Sequence, residues 1–203
     1  MPIVLEKGSK INLTKKDTKK VGKININLNW NQGEVKKKGF FASLFSKENE
    51  SVDLDLGCLF ELKNGRKGAI QALGNSFGSY DTEPYIFLDG DDRTGANVNG
   101  ENIFINGDKI KEIKRILVYT FIYEGVANWQ QVDGKVHINI NGQEEILINM
   151  DEYRNGYKMC ALIMLQNVDD TTFSVEKLVK YFQGHEKMDR AYNWGMKWVP
   201  GRK

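Results

Sequence analysis

Strict alternation of polar and apolar residues constrains this chain more than any other feature. Lys23-Ile24-Asn25-Ile26-Asn27-Leu28-Asn29-Trp30 changes side at every residue, and so does Val136-His137-Ile138-Asn139-Ile140. Successive side chains on a strand point to opposite faces, so a period of two marks a half-buried strand and is useless to a helix. Asn141-Gly142 separates the second run from Ile146-Leu147-Ile148. Asn-Gly between such runs is a strong hairpin signal, because both residues tolerate positive φ. Further strands are expected over residues 51–62, 69–71, 84–88, 102–106, 115–123 and 157–166, with turns at Asn64-Gly65, Asn106-Gly107, Asp133-Gly134 and Asn155-Gly156. Residues 174–182 read as a helix, with Ser174 as N-cap and Val175, Leu178, Val179 and Phe182 on one side. The expected fold is all-β, an antiparallel β-sandwich of two sheets with one or two short helices.

A chain of 203 residues, 40% of them hydrophobic, fits a single domain over 1–203 whose core needs no covalent staple. No apolar run reaches the length of a membrane span, and MPIVLEKGSK lacks the apolar core of a signal peptide. Cys58 and Cys160 sit singly in apolar runs, which excludes a disulfide framework and a CxxC motif. A reduced, cytoplasmic protein is expected. One irregular basic and aromatic excursion, at about 32–49, interrupts the strand pattern with Lys36, Lys37 and Lys38 followed by Phe40 and Phe41. It reads either as a loop that folds its aromatics back on the sandwich or as a partner-docking segment. The total charge is +2, yet residues 1–50 carry 11 Lys against five acids. These lysine clusters contain no Arg and few interleaved aromatics, so they read as a solvated face, and no nucleic acid partner is expected. The alternating 23–30 run is a candidate sheet edge, which leaves the oligomeric state open.

The chemistry-bearing residues are carboxylates. The two histidines, His137 and His185, form no HExxH or HxH spacing, and no GxSxG, GxxxxGK[ST] or GxGxxG motif is present. Asp53 and Asp55 are two apart in a strand and therefore share a face. Downstream, residues 88–102 gather Asp89, Asp91, Asp92 and Glu101 with several amides and three glycines. Hard divalent cations take six to eight oxygen ligands of these types. Two readings stay open on composition: a Ca²⁺ site that is not an EF-hand, or a polar hairpin whose Asp side chains cap turns. Near the end, Trp194 and Trp198 are expected to lie on a closing strand, and Trp129 on a loop rim.

These residues also resemble a known family. Val52-Asp53-Leu54-Asp55 followed by Gly90-Asp91-Asp92-Arg93-Thr94-Gly95 is similar to the signature of the TerD-type tellurium-resistance and stress-response proteins. Lys7-Gly8-Ser9-Lys10-Ile11-Asn12-Leu13-Thr14-Lys15, Leu28-Asn29-Trp30-Asn31 and the strand Tyr119 to Glu124 resemble further family segments, in the same order. The ending, from Gly184-His185 through Met188-Asp189-Arg190-Ala191-Tyr192 to Gly195-Met196-Lys197-Trp198-Val199, resembles the TerA branch. The resemblance implies a cytoplasmic β-sandwich that binds Ca²⁺, carries no catalytic reaction, and works with other tellurium-resistance-type proteins. By matching position it implies Asp53, Asp55, Asp91, Asp92 and Glu124 as ligands, with Asp89 and Glu101 in the same loop. The chain departs from the pattern where the family has an acidic run, here Ala96 to Asn102, and at Asn31, where the family has Asp. Ligand charge sets Ca²⁺ affinity, so one weakened site is expected where relatives hold two, or none.

Three functions follow as expectations. The first is a non-enzymatic Ca²⁺-binding stress-response module whose ion-ordered acidic face meets partner proteins. The second is a metal-free scaffold docking through residues 33–49. The third is a Mg²⁺- or Mn²⁺-dependent phosphoesterase using the same carboxylates.

Overall fold

A computed structural model describes residues 1–13, 21–30, 52–90, 100–124, 129, 132–150 and 153–201; the side chains of Asp53 and Glu124 are outside that description. The strands are β1 (Ile3–Val4), β2 (Lys10–Asn12), β3 (Lys23–Asn29), β4 (Asp53–Leu62), β5 (Lys67–Gln71), β6 (Gly78–Ser79) and β7 (Ile86–Leu88). They continue as β8 (Glu101–Asn106), β9 (Ile113–Glu124), β10 (Lys135–Ile140), β11 (Ile146–Asn149), β12 (Met159–Val168) and β13 (Thr172–Phe182), and a short helix α1 (His185–Ala191) follows. A 3₁₀ helix, Gly107–Glu112, stands where Asn106-Gly107 suggested a simple turn.

Two sheets form, one of order β1-β11-β10-β3-β8-β7-β6 and one of order β2-β13-β12-β9-β4-β5. All pairings are antiparallel except the short β1–β11 pair. The alternation read in 23–29 fixes the facing: Ile24, Ile26 and Leu28 are fully buried, opposite Ile103 and Ile105 of β8 and Ile138 and Ile140 of β10. The inward rows of β4, β9 and β12 meet them, through Leu54, Leu56, Cys58, Ile116, Val118 and Leu162. The expected β-sandwich is present. Residues 23–29, proposed as an edge, instead lie in the middle of the seven-stranded sheet, paired on both sides.

The six-stranded sheet is covered on its outer face as well. Leu59, Leu117, Tyr119, Phe121, Met159, Ala161, Met164 and Phe182 form a second apolar cluster with Met188 and Trp194. The C-terminal segment, α1 and the chain after it, therefore makes a third layer. A strand buried on both faces loses its alternation and reads as a continuous apolar run, which is why residues 160–165 are apolar throughout. The same effect explains the mistaken helix at 174–182. That segment is β13, with Val175, Val179 and Tyr181 facing the sandwich core and Phe182 facing the outer cluster. Apolar residues on both sides of a strand imitate a helical stripe. A register shift between Ala161 and Ile163 adds to the imitation, and Val179 takes φ 39° opposite it.

Candidate functional site

Four strand ends meet at one end of the sandwich. β4 starts at Asp53 and antiparallel β9 ends at Glu124, so these two positions pair directly across the ladder. In the other sheet β7 runs out at Leu88, and β8 begins at Glu101, beside Leu28 near the end of β3. Asp89 closes this corner: its amide donates to the Asn102 carbonyl (3.1 Å) and its Oδ1 accepts from the Asn102 amide (3.2 Å). Gly100 precedes β8 at φ 60°, a conformation strained for other residues, and a β-carbon there would strike the Leu28 carbonyl. Only glycine lets the chain enter β8 at this place.

Glu101 is 2% exposed and lies in the inward row with Ile103 and Ile105. Its Oε2 accepts the Leu56 amide of β4 at 2.6 Å, so a single carboxylate ties the two sheets together. That amide sits just beyond Gly57, the last residue of β4 paired with β5, where the strand edge meets no other strand among the described residues. A charged acceptor of this kind makes a strong hydrogen bond and keeps a buried amide satisfied.

Asp55 is fully buried, but it alternates with inward Leu54 and Leu56 and so belongs to the outer face, with Leu59. There it approaches Tyr119. Burial, then the charges of Cys58 and Asp55, push the Tyr119 phenol well above its ordinary range. Gly57, between Asp55 and Leu59, makes room for that phenol: a β-carbon would lie 2.6 Å from the Tyr119 ring. Tyr119 donates to Gln71 Oε1 at 2.6 Å, and His185 Nε2 approaches the same oxygen at 3.0 Å. Since that oxygen only accepts, His185 carries its proton on Nε2 here. Burial among Tyr119, Phe121 and Trp198 lowers the His185 pKa to about 4.

The expected ligand set is thus brought together by its backbone and divided by its side chains. Asp53, Asp55, Glu124, Asp89 and Glu101 all stand at one end of the fold. Asp55 turns to the outer face, Glu101 reaches between the sheets, and Asp89 is exposed. The ladder shift beside Asp53 places its extra residue, Tyr123, on β9, so Glu124 and Ile122 pair with consecutive residues of β4. Asp91 and Asp92, the side chains of Asp53 and Glu124, and the docking residues Lys36, Lys37, Lys38, Phe40 and Phe41 fall outside the described residues. Among the described residues no three His, Cys, Asp or Glu side chains gather closely enough to hold a metal. The donors at this end are nevertheless hard oxygens, the type Ca²⁺ requires.

Sequence reasoning missed the polar anchoring of the third layer. Arg115 stacks on Trp194 (3.9 Å to the ring centre), donates to the carbonyls of Tyr192 and Asn193 (3.1 Å each), and pairs with Glu61 at 2.5 Å. Burial opposes ionisation of Glu61, but hydrogen bonds from Lys114 and Arg115 outweigh it and hold the carboxyl below its usual range. Trp194 Nε1 donates to the Phe60 carbonyl and Lys67 to the Trp194 carbonyl. Asp189 accepts from the amides of Gly195 (2.8 Å) and Met196 (2.9 Å) and from Trp198 Nε1 (3.0 Å). Trp194 and Trp198 therefore belong to a helix-and-tail cover, not a closing strand. Trp129, expected on a rim, is buried, bonded to the Tyr157 carbonyl and packed edge-on against Tyr181. The signal for the third layer was the run from Ile116 to Ile122, in which both alternating rows are bulky.

Residues 1–164 match the family model described as TerD domain. The chain belongs to the TerD domain family. Tellurium resistance protein TerA of Alcaligenes sp is 43% identical over an alignment 202 residues long that covers 96% of this chain and 59% of that protein. The chain thus spans about 59% of the length of the curated relative it matches. Among solved structures, a homologue of telluride resistance protein (TerD), SCO6318 from Streptomyces coelicolor A3(2), superposes with a TM-score of 0.58 at 14% identity. That match covers 83% of this chain and 95% of the other. A protein of unknown function, SAV2460, gives 0.59 at 11% identity, over 83% and 94% of the two chains. At these identities the two structures speak for the fold alone. Among the described residues no helix is long and apolar enough to cross a membrane.

Proposed function

We propose that this TerD-family chain is a non-enzymatic, cytoplasmic Ca²⁺-binding module of tellurium resistance and stress response. The observation that carries the reading is the Glu101–Leu56 tie beside Asp55, at the end where Asp53 and Glu124 pair. Likeness to the TerA protein of Alcaligenes sp supports the tellurium-resistance role. Asp55 and Asp89, with Asp53, Asp91, Asp92 and Glu124, would hold the ion. Glu101 already spends one oxygen on Leu56, so it acts chiefly to set the base of the acidic loop. A bound cation supplies the positive charge that lets neighbouring carboxylates ionise together. The chain's own residues fix the strand ends from which those carboxylates project. The ordered acidic face is then presented to other tellurium-resistance-type proteins. With Asn31 and the Ala96–Asn102 stretch in place of acids, a single weakened site is the form expected.

The test is thermal denaturation of chelator-stripped protein with and without Ca²⁺. The proposal expects Ca²⁺ to raise the melting temperature, and Asp55→Ala combined with Asp91→Ala to abolish the rise. A rise that survives both substitutions overturns the ligand assignment. No rise at millimolar Ca²⁺ overturns the calcium reading and leaves the metal-free scaffold docking through residues 33–49. Mn²⁺-dependent hydrolysis of a generic phosphodiester overturns the non-enzymatic reading in favour of a phosphoesterase.

A further inference from the structure

Five Asn-Gly pairs punctuate the chain, at 64–65, 99–100, 106–107, 141–142 and 155–156. They suit turns, but the pair also carries a chemistry of its own. The backbone nitrogen that follows an asparagine can attack that asparagine's side-chain Cγ, and glycine, with no β-carbon, leaves the approach open. The reaction needs a side-chain amide free to rotate onto the chain and a glycine N–H that no acceptor holds. The fold decides which pairs meet both conditions. Asn99 lies outside the described residues.

Two pairs are held. Asn64 Oδ1 accepts the Arg66 amide at 3.0 Å, and its Nδ2 donates to Glu83 Oε1 at 3.2 Å. The Gly65 amide donates to the Leu62 carbonyl at 3.1 Å. Asn106 is 9% exposed, and its Nδ2 donates to the Tyr80 carbonyl at 3.1 Å. The Gly107 amide donates to the Gly22 carbonyl at 2.9 Å. At both places the group to be attacked and the nitrogen that would attack it are fixed by hydrogen bonds, which reaction must first break.

The other two pairs are open. Asn141 and Gly142 are exposed, and so are Asn155 and Gly156. Each pair fills the centre of a four-residue turn, closed by the Gln143 amide on the Ile140 carbonyl (3.0 Å) and by the Tyr157 amide on the Arg154 carbonyl (3.4 Å). Only the glycines take positive φ, 77° at Gly142 and 84° at Gly156, so both turns are type II. The closing bond uses the residue after glycine and leaves glycine's own amide to solvent. Among the described residues, neither these two glycine amides nor the two asparagine side chains have a hydrogen-bond partner.

We infer that Asn141 and Asn155 are self-modifying sites, converting to aspartate and isoaspartate through a succinimide with water as the only co-reactant. The glycine nitrogen gives its proton to solvent base and bonds to Cγ; the Cγ–Nδ2 bond breaks and ammonia leaves. Water then opens the ring at either carbonyl. Each event adds a negative charge, and isoaspartate also adds a methylene to the main chain. Asn155 sits in the turn leading to Lys158, whose carbonyl accepts the Ile122 amide (2.8 Å) beside the Asp53–Glu124 pair. Its conversion therefore brings a further carboxylate to the acidic end of the sandwich. The inference does not rest on the calcium reading.

The test is incubation of the full, folded chain in warm, mildly alkaline buffer, with a parallel sample unfolded in urea. Peptide mapping by mass spectrometry follows each asparagine, and enzymatic methylation counts isoaspartate. In the folded chain Asn141 and Asn155 should convert at least about tenfold faster than Asn64 and Asn106, the scale of a hydrogen bond that must break first. In urea the four rates should converge. The double variant Asn141→Gln/Asn155→Gln should lose most of the isoaspartate formed by the folded chain. Asn64 or Asn106 keeping pace in the folded chain overturns the inference. So does persistence of Asn141 and Asn155 in the folded chain while they convert in urea. A rate difference that survives unfolding overturns it too, and traces the difference to neighbouring sequence instead of the fold.

Discussion

The six-stranded sheet holds two differently built regions. Beneath the C-terminal segment, every charge is answered: Arg115 by Glu61 and two carbonyls, Asp189 by two amides and an indole, Lys67 by a carbonyl. At the acidic end the same strands β4 and β9 bring Asp53 and Glu124 opposite one another, and Asp55 is buried nearby. Like charges across a ladder destabilise it. The acidic end carries no such set of ion pairs among its described residues, and it is there that the proposed cation would act. The first region supplies rigidity, because a strand clamped on its outer face cannot splay at its end.

Removing the clamp has the largest expected effect. Trp194→Ala deletes a buried indole, its bond to Phe60 and the Arg115 stack, and should cost about 3–5 kcal/mol in chemical denaturation. A loss below about 1 kcal/mol would mean that the third layer contributes little. At the acidic end, Glu101→Ala leaves the Leu56 amide buried without its acceptor and should cost about 1–3 kcal/mol. Glu101→Gln retains an acceptor and should recover most of that loss. If Glu101→Ala also abolishes the Ca²⁺-induced stabilisation while Glu101→Gln preserves it, Glu101 sets the loop base and is not itself a needed charge.

His185 gives the clamp a pH dependence. Its folded pKa of about 4 lies below its ordinary value of 6.5, so the unfolded chain binds the extra proton between these limits. Its contribution is complete above pH 6.5 and is lost as pH falls toward 4, on the order of 3 kcal/mol in all. His185→Gln should flatten the stability profile across that window. An unchanged profile would place the titration elsewhere. Asp189→Asn turns one of the two accepting oxygens into an NH2 group, so either the Gly195 amide or the Met196 amide with the Trp198 indole loses its acceptor, at a cost of about 1–3 kcal/mol. Hydrogen exchange at those two amides is the check.

The sandwich was legible because its inward rows obey one rule, and β3 and β10 show it undisturbed. Legibility failed wherever a second apolar neighbour covered the outer face. Residues 174–182 looked helical because Phe182 packs outward while Val175 and Val179 pack inward. Trp129 looked like a rim residue because its burial against Tyr181 comes from a strand some fifty positions on, at a distance no local pattern reports. The acidic residues themselves were legible, since hard-oxygen clusters are visible as composition. Their division between faces was not, since Asp55 and Glu101 arrive at one end from different sheets. Glu101 as the tie between sheets has no sequence signature, because its partner is the backbone amide of Leu56.

The central claim is that the crowded carboxylates are answered by calcium while the clamp stands without it. Calorimetric titration of chelator-stripped protein with Ca²⁺, with Mg²⁺ as control, tests it most directly. The account predicts saturable heat with Ca²⁺, at a stoichiometry of one, and little with Mg²⁺, whose strict octahedral demand suits this spread of donors poorly. No heat at millimolar Ca²⁺ would contradict it.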